Sequence, residues 1–389
     1  MQRFTIPRDV YFGDNAIDAL KTIEGKKAFI VIGSDRTIED GTVAKVQANL
    51  AEAGIESMVF KGVEHDPLYS TVKRGTVALR EFGADWIIGI GGGSPIDAAK
   101  AMWVFYEAPE ETMEEALKPF TLPKLRNKAR FIGITTTSGT GTEVTSFSVV
   151  SDPETNVKYP IADFEITPDI AIVDTTLVQT LSSKNVSYMG MDALTHAIEA
   201  YTSTAATPFT DAVAVKAVEM IDENLVNSFN GDLDVARKNM HIAQNLAGMA
   251  FSNAILGIVH SMAHKTGRIF TIPHGCANAI YLPFATQYNA KVAPAKYADL
   301  ARRLGLKGET QEEQVAAFVQ YVKDLKKAMG VPATLKEFGV DEQEFLAQLD
   351  FISEEAVGDP CTGTNPRAID PATMKKLFLA AYYGEDVNF

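Results

Sequence analysis

Cysteine is almost missing. Cys276 and Cys361 are the only two in 389 residues, and they stand far apart. Two thiols cannot build a disulfide framework or a four-thiolate zinc site, and so small a supply fits a reducing compartment. Positive charge is also short: 36 Lys and Arg against 50 Asp and Glu leave a formal net charge of −14. Nucleic-acid binding needs clustered cations, so no nucleic-acid partner is expected. A local anion site remains possible, because backbone N–H groups at helix N-termini can build one on an acidic protein. Long apolar runs are lacking too. The first residues, MQRFTIPRDVYFG, have no basic region followed by an apolar core, so no signal peptide is expected. The most membrane-like stretch, Leu246 to Ala263, is interrupted by Asn253, His260 and several Ser and Gly residues. It reads as a buried helix, and a cytoplasmic protein without a membrane partner is expected.

What remains is globular material. The hydrophobic share is 46% and the charged share 22%, enough for packed cores, and the length suggests two domains. In the first half, β-rich runs alternate with helical patterns. Strands are expected at Ala28 to Ile32, Ser57 to Phe60, Trp86 to Ile90, Phe131 to Thr135 and Ile170 to Val173. Helices are expected at Val43 to Ala53, Ser70 to Phe82 and Pro95 to Phe105. Such alternation implies a parallel sheet covered by helices. The charged, Pro-containing segment Tyr106 to Lys128 reads as a surface excursion. Beyond Ser182 the strand signals stop and apolar residues recur at helical spacing. The expected division is therefore an α/β domain over 1–184 and an all-helical domain over 185–389.

Two loops in the first half carry chemistry. Gly91-Gly92-Gly93-Ser94-Pro95-Ile96-Asp97 follows the apolar run ending at Ile90. Ser94 suits an N-cap, Pro95 the first helical position and Asp97 the acidic partner of a capping box. A strand, a glycine turn and a helix start together make an anion site; a plain tight turn is the alternative. The stretch from Thr135 through Thr145 carries seven hydroxyl side chains, which fit no core and can donate to phosphate or ribose. Ligands of open α/β sheets bind at loops of this kind, at the carboxyl ends of strands.

In the second half, four of the six histidines cluster: His196, His260, His264 and His274. Asp192 precedes His196 by four, and His260 precedes His264 by four, spacings that share a helix face. One carboxylate and three imidazoles suit a first-row divalent metal such as Fe²⁺ or Zn²⁺. Taken one at a time, each histidine is more often an ordinary satisfied core residue than a ligand.

The chain resembles the iron-containing (group III) alcohol dehydrogenases. The resemblance is carried by GGGSPID at 91–97, TTTSGTGTEVT at 135–145, GMDALTHAIEAY at 190–201, FSNAILGIVHSMAH at 251–264, PHGCANAI at 273–280 and CTGTNPR at 361–367. It spans nearly the whole chain, with the motifs in order. Within the family it most resembles clostridial-type, NADPH-dependent butanol dehydrogenases and the alcohol dehydrogenase half of bifunctional aldehyde/alcohol dehydrogenases.

The resemblance implies a dehydroquinate synthase-like fold: an α/β dinucleotide-binding domain followed by an all-helical metal-binding domain. It implies metal ligation by Asp192, His196, His260 and His274, with Fe²⁺ expected and Zn²⁺ as the alternative. It gives His264 a place beside the nicotinamide, where an imidazole can pass a proton near neutral pH. Gly92, Gly93 and Ser94 correspond to the pyrophosphate cradle, Thr136, Thr137 and Thr145 to hydroxyl contacts with the cofactor, and Lys158 to a lysine near its ribose. Thr135 stands where many relatives carry proline. Phe147, Phe251 and Cys361 correspond to residues bordering the substrate, and related diol oxidoreductases place asparagine at the position of Phe147. Gly33 falls where NAD-preferring relatives carry aspartate. With Ser34 and Arg36 beside it, this favours NADPH; a slip of the alignment would put Asp35 there and favour NADH. The implied reaction is hydride transfer between NADP(H) and primary alcohols or aldehydes, by a homodimer. The alternatives are an NAD-linked polyol dehydrogenase, a dehydroquinate synthase-like lyase and a non-catalytic scaffold subunit.

Overall fold

The computed structural model describes residues 2–152 and 157–389, apart from the side chains of residues 152 and 157–159. Two compact units divide the chain, Met1–Thr180 and Leu181–Phe389. The division falls ahead of the expected 184/185 boundary, because the first long helix and its N-cap Ser182 both belong to the second unit.

The first unit is built on strands β1 (Asp9–Gly13), β2 (Lys27–Ile32), β3 (Glu56–Phe60), β4 (Trp86–Gly91), β5 (Arg130–Thr135) and β8 (Ile170–Asp174). They form one sheet in the order β1-β8-β5-β4-β2-β3, parallel throughout. Its helices of ten or more residues are α1 (Thr42–Glu52), α2 (Tyr69–Phe82) and α3 (Gly93–Glu107). The central strands are apolar at consecutive positions because both faces of the sheet are covered. Phe29, Val31, Ile87 and Phe131 pack on one face with residues of α2 and α3. Their neighbours Ala28, Ile30, Ile32, Ile88 and Ile132 pack on the other with α1.

Two features were not among the expected elements. β1 is an edge strand whose residues are all at least partly exposed, and its apolar run, Val10 to Phe12, is short. β6 (Phe147–Asp152) and β7 (Val157–Ala162) form a separate antiparallel pair. The segment Tyr106 to Lys128 is more than an excursion. The Glu107 carboxylate accepts from the amides of Asn127, Lys128 and Ala129 at 2.8–3.0 Å, and Ala116 and Leu125 are buried in the apolar cluster.

The second unit contains helices α4 (Ser183–Thr202), α5 (Pro208–Phe229), α6 (Ala236–Ala254), α7 (Ile258–Ile269), α8 (His274–Asn289), α9 (Pro294–Arg303), α10 (Gln311–Ala328), α11 (Glu342–Val357) and α12 (Pro371–Tyr383). The expected single helix over Leu246 to Ala263 is in fact two. α6 and α7 meet at a bend of 104°, where Ile255 takes a positive φ of 61°. Gly257 completes the break: a Cβ there would lie 2.7 Å from Glu199 Oε1 and 2.9 Å from Asn365 Oδ1. Among the described residues no single helix is long and apolar enough to cross a membrane.

Candidate active site

The bend between α6 and α7 positions the main cluster. It leaves the first amides of α7 without helical acceptors. Glu199, reaching from α4, accepts from Val259 N–H at 2.8 Å, and Asn365 Oδ1 accepts from Ile258 N–H at 3.3 Å. With the start of α7 fixed, His260 is buried against α4, and its Nδ1 lies 2.5 Å from Glu199 Oε2. Nε2 is thereby left to face inward. Asp192 and His196 come from one face of α4, and His274 is the first residue of α8.

One ligand atom from each of Asp192, His196, His260 and His274 lies within 4.8 Å of the others. The imidazoles pack closely: His196 and His260 stack with ring centroids 4.6 Å apart. Burial and the neighbouring imidazoles hold His260 well below its ordinary pKa, so its ring is neutral and its lone pair is available. The amide nitrogen of Asn278 donates to Asp192 Oδ1 at 2.6 Å and lies 3.1 and 3.2 Å from the Nε2 atoms of His260 and His274. One carboxylate oxygen and two imidazole nitrogens thus converge on a single amide nitrogen. A divalent cation fits the same donor set, one carboxylate and three imidazoles.

His264 sits one turn further along α7 and joins a different group, with Asp359 and Cys361. Its Nδ1 lies 3.1 Å from Asp359 Oδ2, which also pairs with Lys265 at 3.3 Å. Burial opposes ionisation of Asp359. The hydrogen bond and charge of His264, with Lys265 and the Cys361 amide, outweigh burial and hold the carboxyl well below its usual range. Burial, Asp359 and Glu199 push the Cys361 thiol well up, so it stays protonated. Glu199 is pushed up to about 8 by burial, against the opposing amides of Val259, Gly257 and His260. Phe251 stacks on His196 with centroids 4.3 Å apart.

In the first unit, β4 and β5 bring the two polar loops side by side. Thr136 N–H donates to Gly91 O at 2.8 Å. α3 begins at Gly93 with Gly92 as its N-cap, which corrects the expected capping box. Ser94 and Pro95 lie inside the first turn, and the Ser94 hydroxyl donates to the His65 carbonyl. The Asp97 carboxylate instead accepts from Thr142 Oγ1 at 2.6 Å and Val149 N–H at 3.1 Å. Glycine at the cap leaves room for the second loop. A Cβ at Gly92 would lie 3.2 Å from Thr137 Cγ2, a tight contact, and one at Gly93 would meet Thr140 Cγ2 at an ordinary 3.5 Å. The hydroxyls of those two threonines are buried and have no hydrogen-bond partner. Orphaned hydroxyls beside a helix N-terminus fit a phosphate-bearing ligand.

Thr135, at the position where many relatives have proline, uses its hydroxyl to close the loop on Thr137 O at 3.0 Å. Thr145 is buried, and its Oγ1 lies 3.0 Å from Lys100 Nζ. A Cβ at Gly33 would lie 3.9 Å from the Pro95 ring, which places Gly33 beside the glycine turn. Ser34 O accepts from Thr37 at 3.3 Å. Arg36 is drawn to Thr180, donating to its carbonyl and hydroxyl oxygens at 3.0 and 2.8 Å; the cation paired with Asp35 is Lys61, at 3.5 Å. Phe147 opens β6 and is half-buried. The Lys158 side chain lies outside the described residues. Glu199, Asn278, Asp359 and Lys100 were not legible as site residues. Glu199 and Asn278 had one available hint each, their places in the GMDALTHAIEAY and PHGCANAI motifs.

A six-stranded parallel sheet with a glycine cradle, and a helical unit with a carboxylate–imidazole cluster, define a two-part, metal-dependent dinucleotide enzyme. The family model described as iron-containing alcohol dehydrogenase matches residues 7–175. That of the Fe-containing alcohol dehydrogenase family, C-terminal, matches residues 186–382. The chain belongs to the iron-containing alcohol dehydrogenase family and is a metal-dependent alcohol dehydrogenase. It is 55% identical over 389 residues to an NADPH-dependent butanol dehydrogenase of Clostridium saccharobutylicum, covering 100% of each. It is 41% identical to the bifunctional aldehyde-alcohol dehydrogenase AdhE of Escherichia coli (strain K12), over 98% of this chain and 46% of that protein, so it spans about half of that relative. The solved structure of a 1,3-propanediol oxidoreductase superposes with a TM-score of 0.92 at 34% identity, covering 98% of this chain and 100% of the other. An iron-containing alcohol dehydrogenase from Thermococcus thioreducens gives 0.91 at 35%, with the same coverage.

Proposed function

We propose that this alcohol dehydrogenase transfers hydride between NADPH and primary alcohols or aldehydes of butanol size, with Fe²⁺ held by Asp192, His196, His260 and His274. The observation that carries the metal assignment is the convergence of those four donors within 4.8 Å. When bound, the metal supplies Lewis acidity toward the substrate oxygen, and the nicotinamide supplies or accepts the hydride. The chain's own residues do the rest. Glu199 fixes the ring of His260 through Nδ1. His264, oriented by Asp359, carries the proton exchanged with solvent. Gly92, Gly93 and Ser94 with Thr136 and Thr137 receive the pyrophosphate, Thr145 and Lys158 complete the cofactor contacts, and Gly33 and Ser34 leave room for a 2′-phosphate. Phe147, Phe251 and Cys361 border the substrate.

The relative from C. saccharobutylicum, named for NADPH and butanol, supports this choice over the NADH and polyol readings, and the family's description as iron-containing supports Fe²⁺. The enzyme is proposed to act as a cytoplasmic homodimer. Steady-state rates with butanal, ethanal, glycerol and propanediol, each with both nicotinamide cofactors and with Fe²⁺ added or chelated, test the reading. Butanal with NADPH and Fe²⁺ should give the highest kcat/KM. A preference for glycerol with NADH and Zn²⁺ would replace it with the polyol reading.

A further inference from the structure

Helix α3 contributes more to the nucleotide cradle than its N-terminus. Lys100 lies in its second turn and is fully buried. Its ammonium donates to the carbonyl oxygens of Thr142, Thr145 and Phe147 at 2.7, 2.8 and 2.9 Å, and meets Thr145 Oγ1 at 3.0 Å. One turn earlier on the same face, Asp97 takes Thr142 Oγ1 and the Val149 amide on its carboxylate. The Asp97 carbonyl accepts from Ser148 Oγ at 2.8 Å. A cation and an anion three residues apart on one helix therefore gather the chain from Thr142 to Val149.

Burying an ammonium is unfavourable. Burial pushes Lys100 down to about 8, while the charges of Asp97 and Glu143 work against that shift. An apolar side chain would fill the space without this cost, but it could not gather carbonyls. Carbonyl oxygens repel an approaching phosphate. Here three of them turn onto Lys100, while the hydroxyls of Thr137 and Thr140 stay unpartnered beside Gly92 and Gly93.

We infer that Asp97 and Lys100 form a clamp that holds the hydroxyl-rich loop in its nucleotide-receiving shape, so that Lys100 is a positioning residue for the dinucleotide. The inference rests on the nucleotide reading of this cradle. The same clamp holds the backbone of Phe147, and so ties the cofactor loop to the start of β6.

The test compares the full-length wild type with Lys100→Met and Asp97→Asn. NADPH and NADH dissociation constants are measured by fluorescence on chelator-treated protein, below the unfolding transition of each variant. Lys100→Met should bind NADPH on the order of tenfold more weakly, the size expected for losing hydrogen bonds to a charged group. On metal-loaded protein, KM for NADPH should rise in step, with kcat at saturating NADPH and the metal content unchanged. If Lys100→Met does not fold, Asp97→Asn, which keeps its size and one acceptor oxygen, decides alone with a weakening of several-fold. Wild type that binds neither nucleotide would overturn the nucleotide reading itself. Wild type that binds, with variants of lowered thermal stability but equal affinity, would overturn the clamp.

Discussion

His260 and Glu199 are joined at 2.5 Å through Nδ1 and Oε2, while the other oxygen of the same carboxylate holds the amide of Val259. One buried side chain therefore caps α7 and fixes the ring orientation of a residue on that helix. Glu199→Gln should keep the fold and weaken metal binding, roughly 10- to 100-fold by analogy with other groups that orient metal ligands. Competition with a chelator of known affinity measures this. Unchanged metal affinity would reduce Glu199 to a helix cap.

The four donors and His264 should separate cleanly. Alanine at Asp192, His196, His260 or His274 should remove metal and activity together. His264→Ala should retain the metal and slow turnover by roughly 10²–10⁴-fold, the range for loss of a general acid–base group. Asp359→Asn should also retain the metal, with a smaller loss of turnover, because its contact is to His264 Nδ1. Elemental analysis of each variant beside its kcat decides. Metal lost from His264→Ala and kept in His260→Ala would reverse the two roles on α7.

Substrate choice should follow the absence of an amide at Phe147. Each buried methylene contributes about 0.8 kcal/mol, so chains of roughly C3–C6 should outperform ethanol. A phenyl ring cannot bond a second hydroxyl, so diols should be poor substrates, and Phe147→Asn should improve them relative to butanol. Competition between butanol and 1,2-propanediol gives the ratio. A higher kcat/KM for the diol in the parent would defeat the apolar-pocket assignment.

Gly33→Asp should shift preference from NADPH toward NADH by repelling the 2′-phosphate. The new Cβ would lie 3.3 Å from Val63 O, so the backbone must yield slightly and some stability should be lost. The ratio of kcat/KM for the two cofactors in parent and variant is the measurement. A parent that already prefers NADH would assign the ribose to Asp35.

Lys100 makes a signed prediction about pH. Its folded pKa of about 8 lies below its unfolded value of about 10.5. Within that window the unfolded chain holds a proton that the folded chain has released, so stability rises with pH. This contribution is complete above about 10.5 and lost as pH falls through about 8. Denaturant titrations of wild type and Lys100→Met should show their stability difference moving in favour of wild type across the window. A flat difference would mean that Lys100 titrates elsewhere.

The sequence by itself determined the two-part architecture and most of its elements. β2 and β4 are consecutive apolar runs ending in turns, and α1 and α2 are amphipathic helices, so local pattern sufficed. It also supplied Asp192 and His196, because a spacing of four on one helix is a spatial statement in itself. Spacing alone could not separate His260 from His264, which share it; only the family resemblance implied the division. Only the tertiary structure puts His260 against α4 and Glu199, and His264 against Asp359, more than ninety positions away in sequence. The bend at Ile255, the start of α3 at Gly93 and the burial of Lys100 were settled the same way. Each depends on groups distant along the chain: Glu199 and Asn365 crowding Gly257, Thr137 crowding Gly92, and three loop carbonyls converging on one ammonium. Periodicity records which face of an element is buried. It does not record which polar group meets another there, and in this protein those meetings make the site.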